Sequence, residues 1–418
     1  MNRACDTATT ASLGRAPRTS PLRVAAALLM LAAGVSVLAF AMSGSEATNR
    51  DYTEYWAVGQ QLVHRGNPYD SAAILRTVHA AGETSNTNMI LRNPPTALFI
   101  TLPLGFVSVR VGAIVWSLAL IAALMASIRM IWTMQGRPRD RLHLIGYIFP
   151  PALACLLAGQ IGIFLLLGVT LFLYFHATKP YLAGAALLLC ALKPHLFLPF
   201  GVVLIAWIAM RKAYPILTGA LAALLASLAP ILLLDPAIWV QYVHGERGEN
   251  IQNLFIPCVS ALLRVAIHRN AVWLQFLPVF AGCAWAFWYF WTRRERWDWM
   301  DGGLLLLIVS VLVAPYAWFT DEVILLPAIL VGMYRASDRG RSLLPFGCIA
   351  GVALMEVLAG VQLPSGLYLW TAPAWLAWYL YAVRGTGQGR AEEAGSESET
   401  NMPPGERSLR EEVPAEAR

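Results

Sequence analysis

Between Val24 and Val383 the chain strings together apolar segments, several free of any charge over the length of a bilayer crossing, with ionisable residues confined to short clusters between them. A backbone in hydrocarbon has to satisfy its own hydrogen bonds, so segments of this kind fold as helices rather than as open sheets or loops. With 57% hydrophobic and 13% charged residues and a mean hydropathy of +0.56, the chain lies far from the roughly 25% charged composition of soluble domains. The expectation is an all-α polytopic membrane protein, its 418 residues absorbed as one bundle of helices.

A formal charge of +6 and a pI near 9.1 would suit a nucleic-acid partner, but the positions of the charges point elsewhere. Arg3, Arg15, Arg18 and Arg23 precede the first apolar segment, Leu22–Met42. That segment exceeds a signal-peptide core in length and is read as an uncleaved first span leaving the cytoplasm. Lys179, Arg211-Lys212, Arg293 to Arg296 and Arg335 to Arg341 then mark inside loops. Outside lie the insert 43–95, Gly159-Gln160, Lys193-Pro194-His195, Asp235 to Asn253, Ala314 to Glu322 and Gln362 to Gly366. The stretch Pro94–Met134 is expected to cross once net, with Pro94–Phe106 short, tilted or re-entrant. Asn253–Asn270, which carries Arg264, His268 and Arg269, is expected to be an external re-entrant or surface helix. This alternation gives about twelve crossings, a basic cytoplasmic tail over 1–21, a membrane domain over 22–384 and a disordered cytoplasmic tail over 385–418. The six cysteines are scattered without a C-x-x-C pair, so neither a metal site nor a disulfide framework is implied.

Water-facing chemistry has its natural place in the insert. Tyr52, Tyr55, Trp56, Gly59, Leu62 and Val63 form one stripe of an amphipathic helix, expected to lie on the membrane surface. Gly66-Asn67-Pro68 ends it, and Asp70-Ser71 opens a second short helix closed by Gly82. Asp51 follows the first span by a few residues, where a base acting on a lipid-linked substrate would stand. Asp51-Tyr52-Thr53-Glu54 also reads as a capping box. The roles are compatible, since an N-cap carboxylate is ionised.

Other outside residues carry the same double reading. Lys193 is a cation where positive charge is otherwise scarce: it either meets an anion in a wet cavity or snorkels to the interface. His195 beside it caps the turn or joins the site. Arg92 is a solvated interfacial arginine or a second cation for a phosphate leaving group. Asp321-Glu322 is a helix-start pair or lines the same cavity. Gln160 and Asn253 are amide-bearing turn residues able to bond sugar hydroxyls. No Walker loop, dinucleotide-binding glycine motif, HExxH or serine-hydrolase elbow is present.

Taken in order, DYTEYWAVGQQLVHRGNPYD, NPPTALFITLPL, AGQIGIFLLLG, LLLCALKPHLFLPF and APYAWFTDEVILLPA resemble the family 87 glycosyltransferases, polyprenol-phosphate-mannose-dependent mannosyltransferases of the GT-C superfamily. The resemblance runs from about Arg23 to Tyr381. It implies a GT-C-type bundle with a large first external loop, and inverting transfer of mannose or a related sugar from a polyprenyl phosphate to an extracytoplasmic lipid or glycan. Asp51 would be the general base. Lys193, with Arg92 and His195, would contact the donor phosphate. Glu54, Tyr55, Gln160, Asn253, Trp318 and Asp321 would line the cavity, with Asp321 standing where the family often shows an aromatic or histidine. No metal or dissociable cofactor is implied, the partners are the lipid-linked donor, the acceptor and the bilayer, and the location is the inner membrane. A flippase for lipid-linked glycans shares the bundle but needs no base and usually shows internal repeats, which are not seen here. A non-catalytic assembly protein would use the insert for docking.

Overall fold

The computed structural model describes residues 50–82, 91–139, 141–248, 256–338 and 365–383, all within the unit Glu46–Arg418. Leu22–Met42, the tails and Asn253 lie outside the described residues. Among those described, all regular structure is helical. In chain order the α-helices are α1 (Arg50–Val63), α2 (Ser71–Ala80), α3 (Val109–Met134), α4 (Pro150–Ala158), α5 (Gly162–Phe175), α6 (Pro180–Cys190) and α7 (Leu198–Arg211). They continue with α8 (Tyr214–Leu234), α9 (Ile238–Gly248), α10 (Val259–Ile267), α11 (Leu277–Arg293), α12 (Leu304–Leu312), α13 (Leu326–Ser337) and α14 (Thr371–Val383).

Four helical stretches, Val109–Met134, Pro194–Arg211, Tyr214–Leu234 and Val272–Arg296, are long and apolar enough to cross a membrane. This is a membrane protein, and its outer faces carry large bare apolar side chains such as Ile205, Leu225, Leu233 and Phe280, which only lipid or a partner would tolerate. Several stretches read as crossings are shorter. α5, with 14 residues, reaches about 21 Å against the roughly 30 Å of a hydrocarbon core. The sequence explains the shortfall: Gly159-Gln160 separates α4 from α5, and Lys193-Pro194 separates α6 from α7. Each break holds a residue singled out above.

Pro94–Phe106 folds into two 3-10 turns, Pro95–Ile100 and Leu102–Phe106, so the part of this stretch long and apolar enough to cross is α3. Ser108 opens α3, its hydroxyl accepting from the Val111 N–H. The stripe on α1 faces these turns rather than lipid: Tyr52, Tyr55, Trp56 and Leu62 are all buried. Three donors on successive turns of α1 hold it there. Tyr52 donates to the Val109 carbonyl at 2.7 Å, Trp56 Nε1 to Val107 at 2.9 Å and Gln60 Nε2 to Gly105 at 3.1 Å. Gly59 and Gly105 permit the approach, because a Cβ on Gly59 would run into the Thr101 carbonyl and one on Gly105 into the Gly59 carbonyl. The second insert helix forms as the sequence indicates, with Asp70 Oδ1 accepting from Ala72 and Ala73.

Candidate active site

Asp51 lies in the first turn of α1, one position inside the Arg50 start rather than at the cap. Its partner comes from the break between α4 and α5. Gly159 adopts φ 71°, and a side chain there would also meet Tyr52 Cβ at 2.5 Å, so only glycine fits the turn. Trp116 of α3 donates to the Gly159 carbonyl at 2.8 Å and pins the break. Gln160 then projects toward α1. Its Nε2 donates to Asp51 Oδ2 at 3.0 Å, while its Oε1 accepts from the Tyr55 hydroxyl at 2.9 Å and the Ile161 N–H at 3.0 Å. The amide has one consistent orientation, since Ile161 N–H can only donate and an ionised carboxylate can only accept. Burial pushes the Tyr55 hydroxyl pKa well up, and the Asp51, Glu54 and Asp321 carboxylates add to the effect. Tyr55 is therefore held as the protonated donor that Gln160 requires.

The second group forms where α6 breaks. Lys193 Nζ lies 2.7 Å from Asp321 Oδ1, with side-chain exposures of 11% and 1%. The lysine does not snorkel; it turns inward to a carboxylate. Asp321 Oδ2 accepts from the Trp318 N–H at 2.9 Å, so Asp321 keeps its helix-start role while pairing with Lys193. Trp318 enters through its backbone only, its indole being 38% exposed. His195 lies over Tyr316, with ring centroids 3.8 Å apart. Arg92, half-buried, adjoins Asn93, whose Nδ2 donates to the Leu192 carbonyl at 2.8 Å and whose own carbonyl accepts from Tyr69 at 3.0 Å.

Two links bring the groups together. Cys155 of α4 directs its thiol at the Thr320 carbonyl at 3.2 Å, and the same helix ends two residues before Gln160. Across this contact the Asp321 charge reaches the Tyr55 hydroxyl. Asp51, Glu54, Tyr55, Gln160, Lys193, His195 and Asp321 thus share one region, to which Arg92 is tied only through its neighbour Asn93. Among the described residues no group of three His, Cys, Asp or Glu could hold a metal ion. A cavity of about 540 Å³ lined by Tyr289, Arg293, Arg296 and Trp297 is separate from this cluster.

The sequence model of glycosyltransferase family 87 matches residues 92–315, more than half of the chain. The chain belongs to glycosyltransferase family 87. No curated protein and no solved structure matched it. The matched residues include Arg92, Gln160, Lys193 and His195, whereas Asp51 and Asp321 stand outside them.

In this glycosyltransferase the residues that join the parts are less conspicuous than those they position. Asn93, Trp116, Cys155 and Tyr316 act through contacts between segments distant in the chain; the amide of Asn93, placed before two prolines, was the one visible sign. Glu322, next to Asp321, has the opposite environment. Burial pushes its pKa up to about 8, despite the Thr371 hydroxyl that donates to Oε1 at 2.5 Å.

Two outcomes follow for the protein melted in detergent. Asp321→Leu alone leaves Lys193 buried and unpaired and should cost about 3–5 kcal/mol, while adding Lys193→Met should restore much of it; additive losses would mean that the pair is not coupled. Glu322 binds its proton more tightly folded than unfolded, so its contribution is present below its ordinary value of 4.5 and lost as pH rises through about 8. The melting temperature should fall between pH 5 and 8, and Glu322→Gln should flatten that fall.

Proposed function

We propose that this glycosyltransferase moves a sugar from a polyprenyl phosphate to an acceptor hydroxyl at the extracytoplasmic face of the inner membrane, inverting the anomeric centre, with Asp51 as general base. What supports the reading is an acid-base group beside a cation: the Asp51 carboxylate, fixed by Gln160, and the Lys193–Asp321 pair both lie close to Cys155.

In the transfer step the acceptor O–H gives its proton to Asp51 as its oxygen attacks the anomeric carbon from the face opposite the phosphate. The bond from that carbon to the phosphate oxygen breaks, and the electron pair leaves with the polyprenyl phosphate. A lipid phosphate is a good leaving group that needs positive charge rather than an acid. Lys193, with three N–H donors, can hold Asp321 and still offer hydrogen bonds to a phosphate oxygen, and Arg92 adds a second cation at the margin. Because the donor is already activated, the step needs no dissociable cofactor. Mannose or a related hexose or pentose, and a glycolipid or glycan acceptor, fit the reading. The large external loop and about twelve crossings complete the proposed topology.

Asp51→Asn keeps the hydrogen-bonding shape but removes the base, and general-base contributions run to about 10²–10⁴ in rate. Transfer from a panel of polyprenyl-phosphate sugars in membranes should fall by that order, with the melting temperature retained; undiminished turnover would remove Asp51 as base. Orientation has its own check. Ala80, exposed at the end of α2, replaced by cysteine should react with an impermeant maleimide in intact spheroplasts, and reaction only after lysis would reverse the topology.

A further inference from the structure

Arg264 stands in the last turn of α10 with 1% of its surface exposed, and its Nε and Nη1 have no hydrogen-bond partner. Among the described residues no carboxylate forms an ion pair with it. The end of a short helix favours a cation only weakly, far less than the penalty for burying a guanidinium unpaired. Lys193, by contrast, has its counter-charge in Asp321.

The 3-10 turn Val272–Phe276, between α10 and α11, supplies a second unsatisfied group. Gln275, 2% exposed, donates through Nε2 to the Pro315 carbonyl at 2.5 Å. That bond fixes the amide, and Oε1 is left buried without a donor. Both residues adjoin the segment leading into the candidate active site. Ser260 of α10 donates to the Val313 carbonyl at 3.2 Å, and the Cys258 thiol points to the Pro315 carbonyl at 3.8 Å. The Arg264 charge reaches that thiol. One residue beyond Pro315, Tyr316 stacks on His195, and Trp318 and Asp321 follow.

We propose that Arg264 and Gln275 form a receptor for the sugar-phosphate head group of a lipid substrate, the guanidinium taking phosphate oxygens and Gln275 Oε1 accepting from a sugar hydroxyl. Guanidinium nitrogens present donors only, and the amide oxygen accepts only. A single ligand completing both would carry an anionic acceptor and a hydrogen-bond donor, a combination that a glycosylated phosphate offers. Arginine suits the first task because its planar donors match phosphate oxygens in pairs. The inference rests on the lipid-phosphate reading above and assigns two further binding residues to it.

The test is ligand-dependent melting of the purified full-length protein with a polyprenyl phosphate, with phosphatidylinositol and with the uncharged polyprenol. For the unsubstituted protein, at least one phosphate-bearing lipid should raise the melting temperature and the polyprenol should not. Arg264→Met should weaken that response roughly tenfold or more in half-saturating concentration, with Arg264→Lys intermediate. Its ligand-free melting temperature should stay level or rise, since an unpaired buried charge is gone. Loss confined to polyprenyl phosphate assigns the site to the donor, and loss confined to phosphatidylinositol assigns it to the acceptor; either supports the receptor. Equal responses in parent and variant, no response in the parent, or a lower ligand-free melting temperature with an unchanged response overturns it. If Arg264→Met does not fold, Arg264→Lys decides by the same comparison. Because the readout is binding, it stands even if Asp51→Asn retains transfer.

Discussion

Backbone groups in hydrocarbon have no water to turn to, so a helix that stops inside a membrane bundle needs side chains to hold its loose ends. That constraint shapes this molecule. At the end of α4 the Gly159 carbonyl is taken by Trp116 and the Ile161 N–H by Gln160. At the end of α6 the Leu192 carbonyl is taken by Asn93. Between α12 and α13 the Val313 and Pro315 carbonyls are taken by Ser260 and Gln275, and the Trp318 N–H by Asp321. Of the long unbroken helices, α8 is largely exposed, whereas α3 is half buried. The broken ones face one another, and polar chemistry gathers where they break.

Charge follows the same logic. A carboxylate or ammonium at this depth persists only with a partner or by neutralising itself. Asp321 and Glu322, adjacent in sequence, show both solutions: one is paired with Lys193, the other is pushed toward its protonated form by burial. Arg264 follows neither course within the described residues. In the receptor proposed above, a bound phosphate would supply its counter-charge.

Much of this was legible before any coordinates. Apolar runs gave the class of fold, charge clusters marked the connections, and breakers such as Gly159 and Pro194 marked where polar side chains meet. Asp70 announced itself as a cap because the signal is local. The fate of α1 was not legible in this way. Its stripe is equally apolar toward lipid or protein, and only the distant Gly105 and the carbonyls before α3 decide between them. Lys193 was conspicuous as an unexplained cation, but its partner Asp321 lies 128 residues away, a pairing that spacing cannot reveal. Arg264 was visible only as one of several basic residues in a moderately apolar stretch. What sets it apart is burial, a property of the fold.

Gln160 carries a consequence beyond positioning. Its oxygen draws on the Ile161 N–H just before α5 and on the Tyr55 hydroxyl, and its nitrogen gives to Asp51. Hydrogen bonds arranged in series polarise one another, and the N-terminal end of a helix carries partial positive charge. The amide therefore works as a wire: the field at the head of an intramembrane helix arrives, through one side chain, at a carboxylate on another element. Moving α5 by a fraction of an ångström would change the electrostatic environment of Asp51 without any residue touching it anew.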